Sequence, residues 1–363
     1  MSSDSVKNGI TVLICTHNGA KLLPPTLRHL AAQQMPPNLG WEILLISNAS
    51  TDDTLAMAPR LWEELGSPAP MRVLNEPRPG KHFALPRGYI EAHYPYVCIV
   101  DDDNWLSPNY LQLAHEIIDA NPEIGALGGT PEAVCEISPP SWFERYSGHY
   151  AIGRQAAESG DVSMKHGFIC GAGCVIRQSA WQQVQAAGFE TLLVKYPGGR
   201  VSGDDVENCF ALRLAGYSIW FDDRLLFKHF ISANRLQWAY LYSLYRSSAG
   251  AEVDLSPYRH YLRNTTDVKP LVWLRDGLYS IRNYVKYKWR TIRSGHWGSA
   301  ATAVGSQDAL NADFYWLTIQ YYLRKQLKGD QGYEWVKHFK SRLEAQSVKS
   351  KQVVAAQSMV EKV

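Results

Sequence analysis

Tyr96-Val97-Cys98-Ile99-Val100-Asp101-Asp102-Asp103 decides how the rest of this chain is read. Its first five residues form a short apolar, β-rich run of the kind that makes a buried strand. The carboxylates therefore emerge at the strand's carboxyl end, where open α/β sheets bind ligands. Crowded there, they repel one another unless a cation neutralises them. Oxygen ligands favour a hard ion such as Mg²⁺ or Mn²⁺, and such an ion commonly carries a diphosphate. Asp101 and Asp103 point to one side if the strand continues through them. The competing explanation is local: Asp103-Asn104 caps a helix that starts near Ser107-Pro108.

Upstream, strands and helices alternate. Ile10 to Cys15 reads as a first strand ending in the polar turn Thr16-His17-Asn18-Gly19. A helix with Leu27, Leu30 and Ala31 on its inner face follows. Glu42 to Ile46 is a second strand, ending in Ser47-Asn48-Ala49-Ser50, and Thr51-Asp52-Asp53-Thr54 starts the next helix. Met71 to Leu74 is a third strand, and Gly80 to His93 a loop and helix. This alternation implies an α/β fold with a mostly parallel sheet. Downstream, Gly125 to Glu136 and a glycine-broken His166 to Arg177 read as strands, and Tyr217 to Phe221 and Leu225 to His229 as two short ones. Asp204 to Ala215 is a helix closed by Gly216. After residue 232 the pattern turns helical, aromatic and basic, and the tail from Ala345 is expected to fray.

Composition narrows the class. The 363 residues allow one large or two modest domains, and a net charge of +2 gives no general case for nucleic acid. The six cysteines lie mostly in apolar runs without a paired CxxC, which suits reduced core thiols rather than a disulfide framework or zinc site. The polar start, Met1 to Asn8, lacks a signal core, and no stretch has the apolar length to span a bilayer. A cytoplasmic protein is expected, peripheral at most on the inner face of the membrane.

Several segments in fixed order resemble the family 2 glycosyltransferases, inverting nucleotide-sugar enzymes with a Rossmann-like, GT-A type domain. They are Val12 to Gly19, Ile46 to Thr54, the aspartate triplet with Asn104 and Pro108-Asn109-Tyr110-Leu111, Gly171 to Arg177, and Gly203 to Glu207 followed by Ala215-Gly216-Tyr217. The likeness covers residues 10 to 232, which it implies form the catalytic domain, with 233–344 a helical extension and 345–363 a tail. It implies a metal-dependent, inverting transfer of a sugar from a nucleotide-diphosphate donor to an acceptor hydroxyl, in bacterial surface polysaccharide or glycan synthesis. The donor-side residues are then Thr16, Asn18, Ser47, Asn48, Lys81, Asp101, Asp102, Gly171, Ala172 and Gly173, with a UDP-sugar favoured. Asp103 binds Mn²⁺ or Mg²⁺, Asp101 the ribose or the metal, and His229 the metal or diphosphate. Asp205 is the general base, with Asp204 beside it, and a glycan or lipid-linked glycan is the acceptor.

Each of these residues also has a plainer explanation. Thr16 and Asn18 can cap a turn. Lys81 after Pro79-Gly80 suits a phosphate at a helix start or simple solvation. Gly171-Ala172-Gly173 gives a sugar close backbone approach or marks a bulge. Asp204-Asp205 can cap a helix, and His229 can be structural. The sequence departs from the family at Ser47, where an aspartate usually contacts the base, and at Leu85-Pro86, in place of an Arg-Asn pair. Those departures permit a non-catalytic nucleotide- or sugar-binding protein. A nucleotidyltransferase would need a basic, glycine-rich loop after the first strand, and Thr16-His17-Asn18-Gly19 is poor in both.

In the extension, Leu271, Leu274, Leu278, Ile281 and Val285 follow helical spacing, with Arg275, Arg282, Lys286, Arg290 and Arg293 on a neighbouring stripe. With Lys269 and Lys288 counted, the segment 269–293 holds only one anion, Asp276. It can lie on an anionic membrane surface, or bury its apolar side in the protein and leave the basic side in water; the second is the commoner arrangement.

Overall fold

The computed structural model describes residues 8–195, 201–263, 272–329 and 331–360, with side chains as far as residue 348. The polar start 1–7, residues 196–200, and Lys269 and Leu271 lie outside the described residues. In chain order, β1 (Gly9–Thr16), α1 (Leu23–Ala31), β2 (Gly40–Asn48), α2 (Thr54–Glu64), β3 (Met71–Glu76), α3 (Lys81–Glu91) and β4 (Tyr96–Ile99) come first. Next are β5 (Asn104–Leu106), α4 (Tyr110–Ala120), β6 (Ile124–Cys135), α5 (Phe143–Tyr146), β7 (Gly160–Asp161), β8 (Val175–Arg177) and α6 (Gln178–Ala186). The chain continues with α7 (Asp204–Leu214), β9 (Ser218–Ile231), α8 (Trp238–Asp254), α9 (Ser256–Arg263), α10 (Val272–Arg293), α11 (Gln307–Leu327) and α12 (Gly332–Val360). Two compact units divide these elements. One holds Met1–Ser138, Arg145–Gln182 and Gly216–Ser232, the other Pro139–Glu144, Gln183–Ala215 and Ala233–Val363.

All the strands belong to the first unit and form one sheet in the order β3-β2-β1-β4-β8-β6-β9-β5, with β7 on β9. The first four are parallel: Leu13 of β1 lies opposite Leu44 of β2 and Ile99 of β4. Their apolar runs are covered on both faces, as parallel strands require. Ile10, Val12 and Ile14 of β1 join Ile43 and Leu45 of β2, Leu23, Leu27 and Leu30 of α1, and Tyr110 and Leu111 of α4 in one buried core. Each such side chain contributes about 1.5–3 kcal/mol when taken out of water. The chain steps outward from β1 to β2 and β3, then returns to the far side of β1 for β4. That reversal creates a switch point at the carboxyl ends of β1 and β4, where such sheets open a crevice.

Beyond β4 the pairing is mixed: β8 is antiparallel to β4 and β6, β9 parallel to β6, and β5 and β7 antiparallel to β9. Two expectations change here. The two short strands expected around Asp222-Asp223 are one strand, β9, because a register shift between Gly128 and Thr130 absorbs the polar residues as a bulge. Gly129 makes that bulge possible, since a Cβ there would stand 2.0 Å from the Leu225 carbonyl oxygen. Of the strand expected over His166 to Arg177, only β8 forms.

The second unit is helical. Ala249 and Val253 of α8 pack with Tyr321 and Tyr322 of α11, joined by Trp273, Phe314 and Leu317. Phe189 meets Trp335 and Phe339 of α12. The single helix α12 takes in residues 345–360 of the segment expected to fray. Among the described residues, no helix is long and apolar enough to cross a membrane.

Candidate active site

The aspartate triplet sits at the switch point, but not in a strand. β4 ends at Ile99, and the Asn104 amide closes a turn onto the Asp101 carbonyl at 3.1 Å. The Asn104 side chain reinforces it, its carbonyl accepting from the Asp101 amide (3.1 Å) and its amide donating to Asp103 Oδ1 (3.0 Å). The turn fans the carboxylates apart, so Asp101 and Asp103 do not share a face as a continuing strand would require. Asp101 meets Lys81 Nζ at 3.3 Å. Asp102 accepts from Thr16 Oγ1 of β1 at 2.5 Å, and its carbonyl accepts from Thr26 Oγ1 at 2.7 Å. Asp103, only 4% exposed, turns inward. Its Oδ1 lies 3.6 Å from His229 Nε2, because β5 and β9 pair Asn104 with His229. Asp103 and His229, two of the three residues expected to hold a metal, are thus neighbours, whereas the third, Asp101, is turned to Lys81. Among the described residues, no cluster of three or more His, Cys, Asp or Glu gathers around one point.

The loops after β1, β2 and β3 surround this turn and are tied to one another. Asn18, at φ 55°, accepts from the Thr51 amide at 2.8 Å, and its own amide donates to Ser50 Oγ at 3.0 Å. Asp52 Oδ2 accepts from the Ala20 amide at 3.0 Å. Asn48 donates to the Arg78 carbonyl (2.6 Å) and accepts from the Gly80 amide (2.7 Å). Glu76, at the end of β3, takes a two-pronged ion pair from Arg78 at 2.8 and 3.0 Å. The Arg78 hydrogen bonds hold its carboxyl down at about 2. Asn18 and Asn48, expected on the donor side, are therefore braces of the loops. Ser47 is fully buried, and its hydroxyl has no hydrogen-bond partner among the described residues.

Gly171-Ala172-Gly173 forms a turn before β8. Gly173, at φ 69°, donates its amide to the Ile99 carbonyl at 2.9 Å, and its carbonyl accepts from the Tyr110 hydroxyl at 2.6 Å. A Cβ there would stand 2.8 Å from Phe227 and from the Tyr110 oxygen. Packing thus sets the demand for glycine, and the amide is spent on extending the β4–β8 ladder.

Asp204 and Asp205 begin α7 in the second unit, after Gly203 at φ 93°. Their carboxylates suit the helix amino terminus, and Asp205 Oδ1 accepts from the Val206 amide at 2.8 Å. Glu207, expected only to stabilise the first helical turn, is turned to the interior instead. It is buried, accepting from Thr191 Oγ1 at 2.5 Å and from the Leu192 amide at 2.7 Å. Burial pushes its carboxyl up to about 7 against those bonds, with Asp254 and Asp204 adding repulsion. Its spacing to Phe210 and Ala211 marks it as an inner-face position. Between pH 4.5 and 7 the folded chain holds a proton on Glu207 that the unfolded chain has released, so stability falls as pH rises through that window. The loss is on the order of 3 kcal/mol. Thermal melts of Glu207→Gln against wild type from pH 4.5 to 8 should show the variant gaining relative stability with pH. Parallel profiles would rule out the titration.

The comparisons with known proteins agree with this architecture. The family model described as "Glycosyl transferase family 2" matches residues 11–184. Among curated proteins, none matches the chain in sequence. Among solved structures, the mannosyltransferase PcManGT from Pyrobaculum calidifontis, in complex with GDP-Man and Mn²⁺, is similar over 88% of this chain and 86% of its own, at 18% identity and a TM-score of 0.51. Residues 1–349 of S. aureus TarS in complex with UDP cover 88% of this chain and 92% of their own, at 15% identity and a TM-score of 0.46. The mannosyltransferase shares the GT-A fold. Triplet, switch point and the segment 11–184 that matches glycosyl transferase family 2 coincide in one sheet, which supports a glycosyltransferase.

Proposed function

We propose that the chain moves a sugar from a nucleoside-diphosphate donor to an acceptor hydroxyl, with a divalent cation and with inversion at the anomeric carbon. The observation that carries this reading is the pairing of buried Asp103 with His229 Nε2, beside Asp101 and Lys81, at the β1/β4 switch point. A carboxylate and an imidazole suit Mn²⁺, and Mg²⁺ is commonly held by one or two carboxylates while substrate phosphates complete its shell. The residues present therefore fit such an ion, with Asp103 and His229 as its protein ligands. The shared fold with a mannosyltransferase that holds GDP-Man and Mn²⁺ supports the same pairing of donor and metal. When bound, the cation neutralises charge on the departing diphosphate.

The chain's own groups then divide the work. Lys81, at the amino end of α3, offers a cation to a phosphate, held in place by Asp101. The acceptor oxygen bonds to the anomeric carbon as the bond to the diphosphate breaks, and the nucleoside diphosphate leaves. Asp205, in the role its motif carries in the family, takes the proton from the acceptor hydroxyl. A glycan or lipid-linked glycan, in cell-envelope polysaccharide synthesis, is the acceptor class that the family resemblance implies.

A thermal-shift panel of UDP, GDP, TDP and CMP, each with and without Mn²⁺, tests this reading. Stabilisation by one nucleotide only with metal is expected, about 2.7 kcal/mol at a hundredfold excess over its Kd. No shift with any nucleotide would defeat it.

A further inference from the structure

The apolar stripe of α10 faces away from the protein. Leu274, Leu278, Ile281, Val285 and Trp289 are 43%, 58%, 45%, 59% and 56% exposed. At 3.6 residues per turn they fall within about 80° of the helix surface. The opposite side, where Ser280, Asn283 and Thr291 are buried, packs on α11, with Tyr287 stacked on Tyr315 at 5.8 Å. The helix is thus seated by its polar and aromatic face. The common arrangement, with the apolar face inward, does not hold.

Charge borders the stripe in one sign. Arg275, Arg282, Lys286, Arg290 and Arg293 run along its flank. Arg293 lies over the Trp289 ring at 4.5 Å, which sets a guanidinium beside an exposed indole. The only anion of the helix, Asp276, is drawn inward, accepting from Ser256 Oγ at 2.7 Å and bonded to His260 Nε2 at 2.8 Å. Trp297, 74% exposed, stands at the end of the same helix, where Lys288 Nζ donates to its carbonyl at 3.4 Å.

We infer that α10 is an interfacial helix that docks the protein on an anionic lipid surface, its aliphatic stripe among the acyl chains and its arginines at the headgroups. Charge complementarity selects this occupant. An exposed apolar stripe bounded by cations, with Trp289 at one end and exposed Tyr279 beside it, is the pattern of a helix lying in the plane of a membrane. A second copy of the chain would bring the same cations against themselves.

Co-sedimentation of the full chain with vesicles of phosphatidylcholine alone, or mixed with phosphatidylglycerol, tests the inference. Binding to the anionic vesicles only is expected, and it should weaken as salt is raised. Leu278→Glu with Ile281→Glu should remove it, and Arg282→Glu with Lys286→Glu should lower it about tenfold or more. These side chains are exposed, so circular dichroism and melting should match wild type. Absence of vesicle binding, equal binding to both vesicle types, or binding indifferent to Leu278→Glu would overturn the inference. So would light scattering that shows a dimer which Leu278→Glu dissociates. The nucleotide-induced thermal shift, read on the same variants, keeps a failure here distinct from a failure of the glycosyltransferase reading.

Discussion

Asp103→Asn should lower sugar transfer about a thousandfold while leaving the protein folded. The substitution keeps the shape of a side chain packed beside Asn104 and His229, and removes only the charge. A cation at a departing diphosphate supplies several kcal/mol, and about 4 kcal/mol corresponds to a thousandfold in rate. The thermal melt without ligand should stay near wild type, and the metal-dependent part of the nucleotide shift should vanish. Turnover within tenfold of wild type, or an unchanged Mn²⁺-dependent shift, would remove Asp103 from the cation site. Asp101→Asn should act differently, since that carboxylate is more exposed and paired with Lys81.

Lys325→Met should be the most destabilising single change in the helical unit. Lys325 Nζ lies 2.8 Å from Asp254 Oδ1, and Asp254 is 1% exposed. The other Asp254 oxygen accepts from the Val194 amide at 3.1 Å. Taking the cation away strands a buried carboxylate, at a cost of about 3–5 kcal/mol. Adding Asp254→Asn should recover much of the loss, because the charge that needed the lysine is gone. Urea unfolding of wild type, single and double variants gives the comparison, and a loss under about 1 kcal/mol for the single variant would show the pair to be solvated.

The sequence was most legible where one physical requirement dominates. Apolar runs bounded by turn residues gave β1 to β4, since parallel strands covered on both faces must be continuously apolar. The order of polar residues after those runs placed the triplet at the carboxyl end of β4. What was not legible depends on partners distant in the chain. The triplet leaves the strand because a side-chain bracket from Asn104 closes the turn, and β5 exists only because β9 lies beside it to pair. Asp222-Asp223 reads as a turn until the bulge opposite Gly129 takes it up. Glu207 looks like a capping acid, and only the packing of α7 makes it an interior one. In α10 the periodicity located the apolar stripe, but a period carries no information on which side meets the protein. The structure buries Ser280, Asn283 and Thr291 and leaves the apolar stripe outside.

The lacing of the crevice loops bears on the entropy of association. Asn18, Asn48 and Asp52 already join the segments after β1, β2 and β3 through side-chain bonds to backbone. Fixing a free backbone costs roughly 1–2 kcal/mol per residue. In this rim that cost is met when the chain folds, and under the proposed function a nucleotide would meet walls already in place. Its affinity is then set by the contacts it makes rather than by the disorder it must remove.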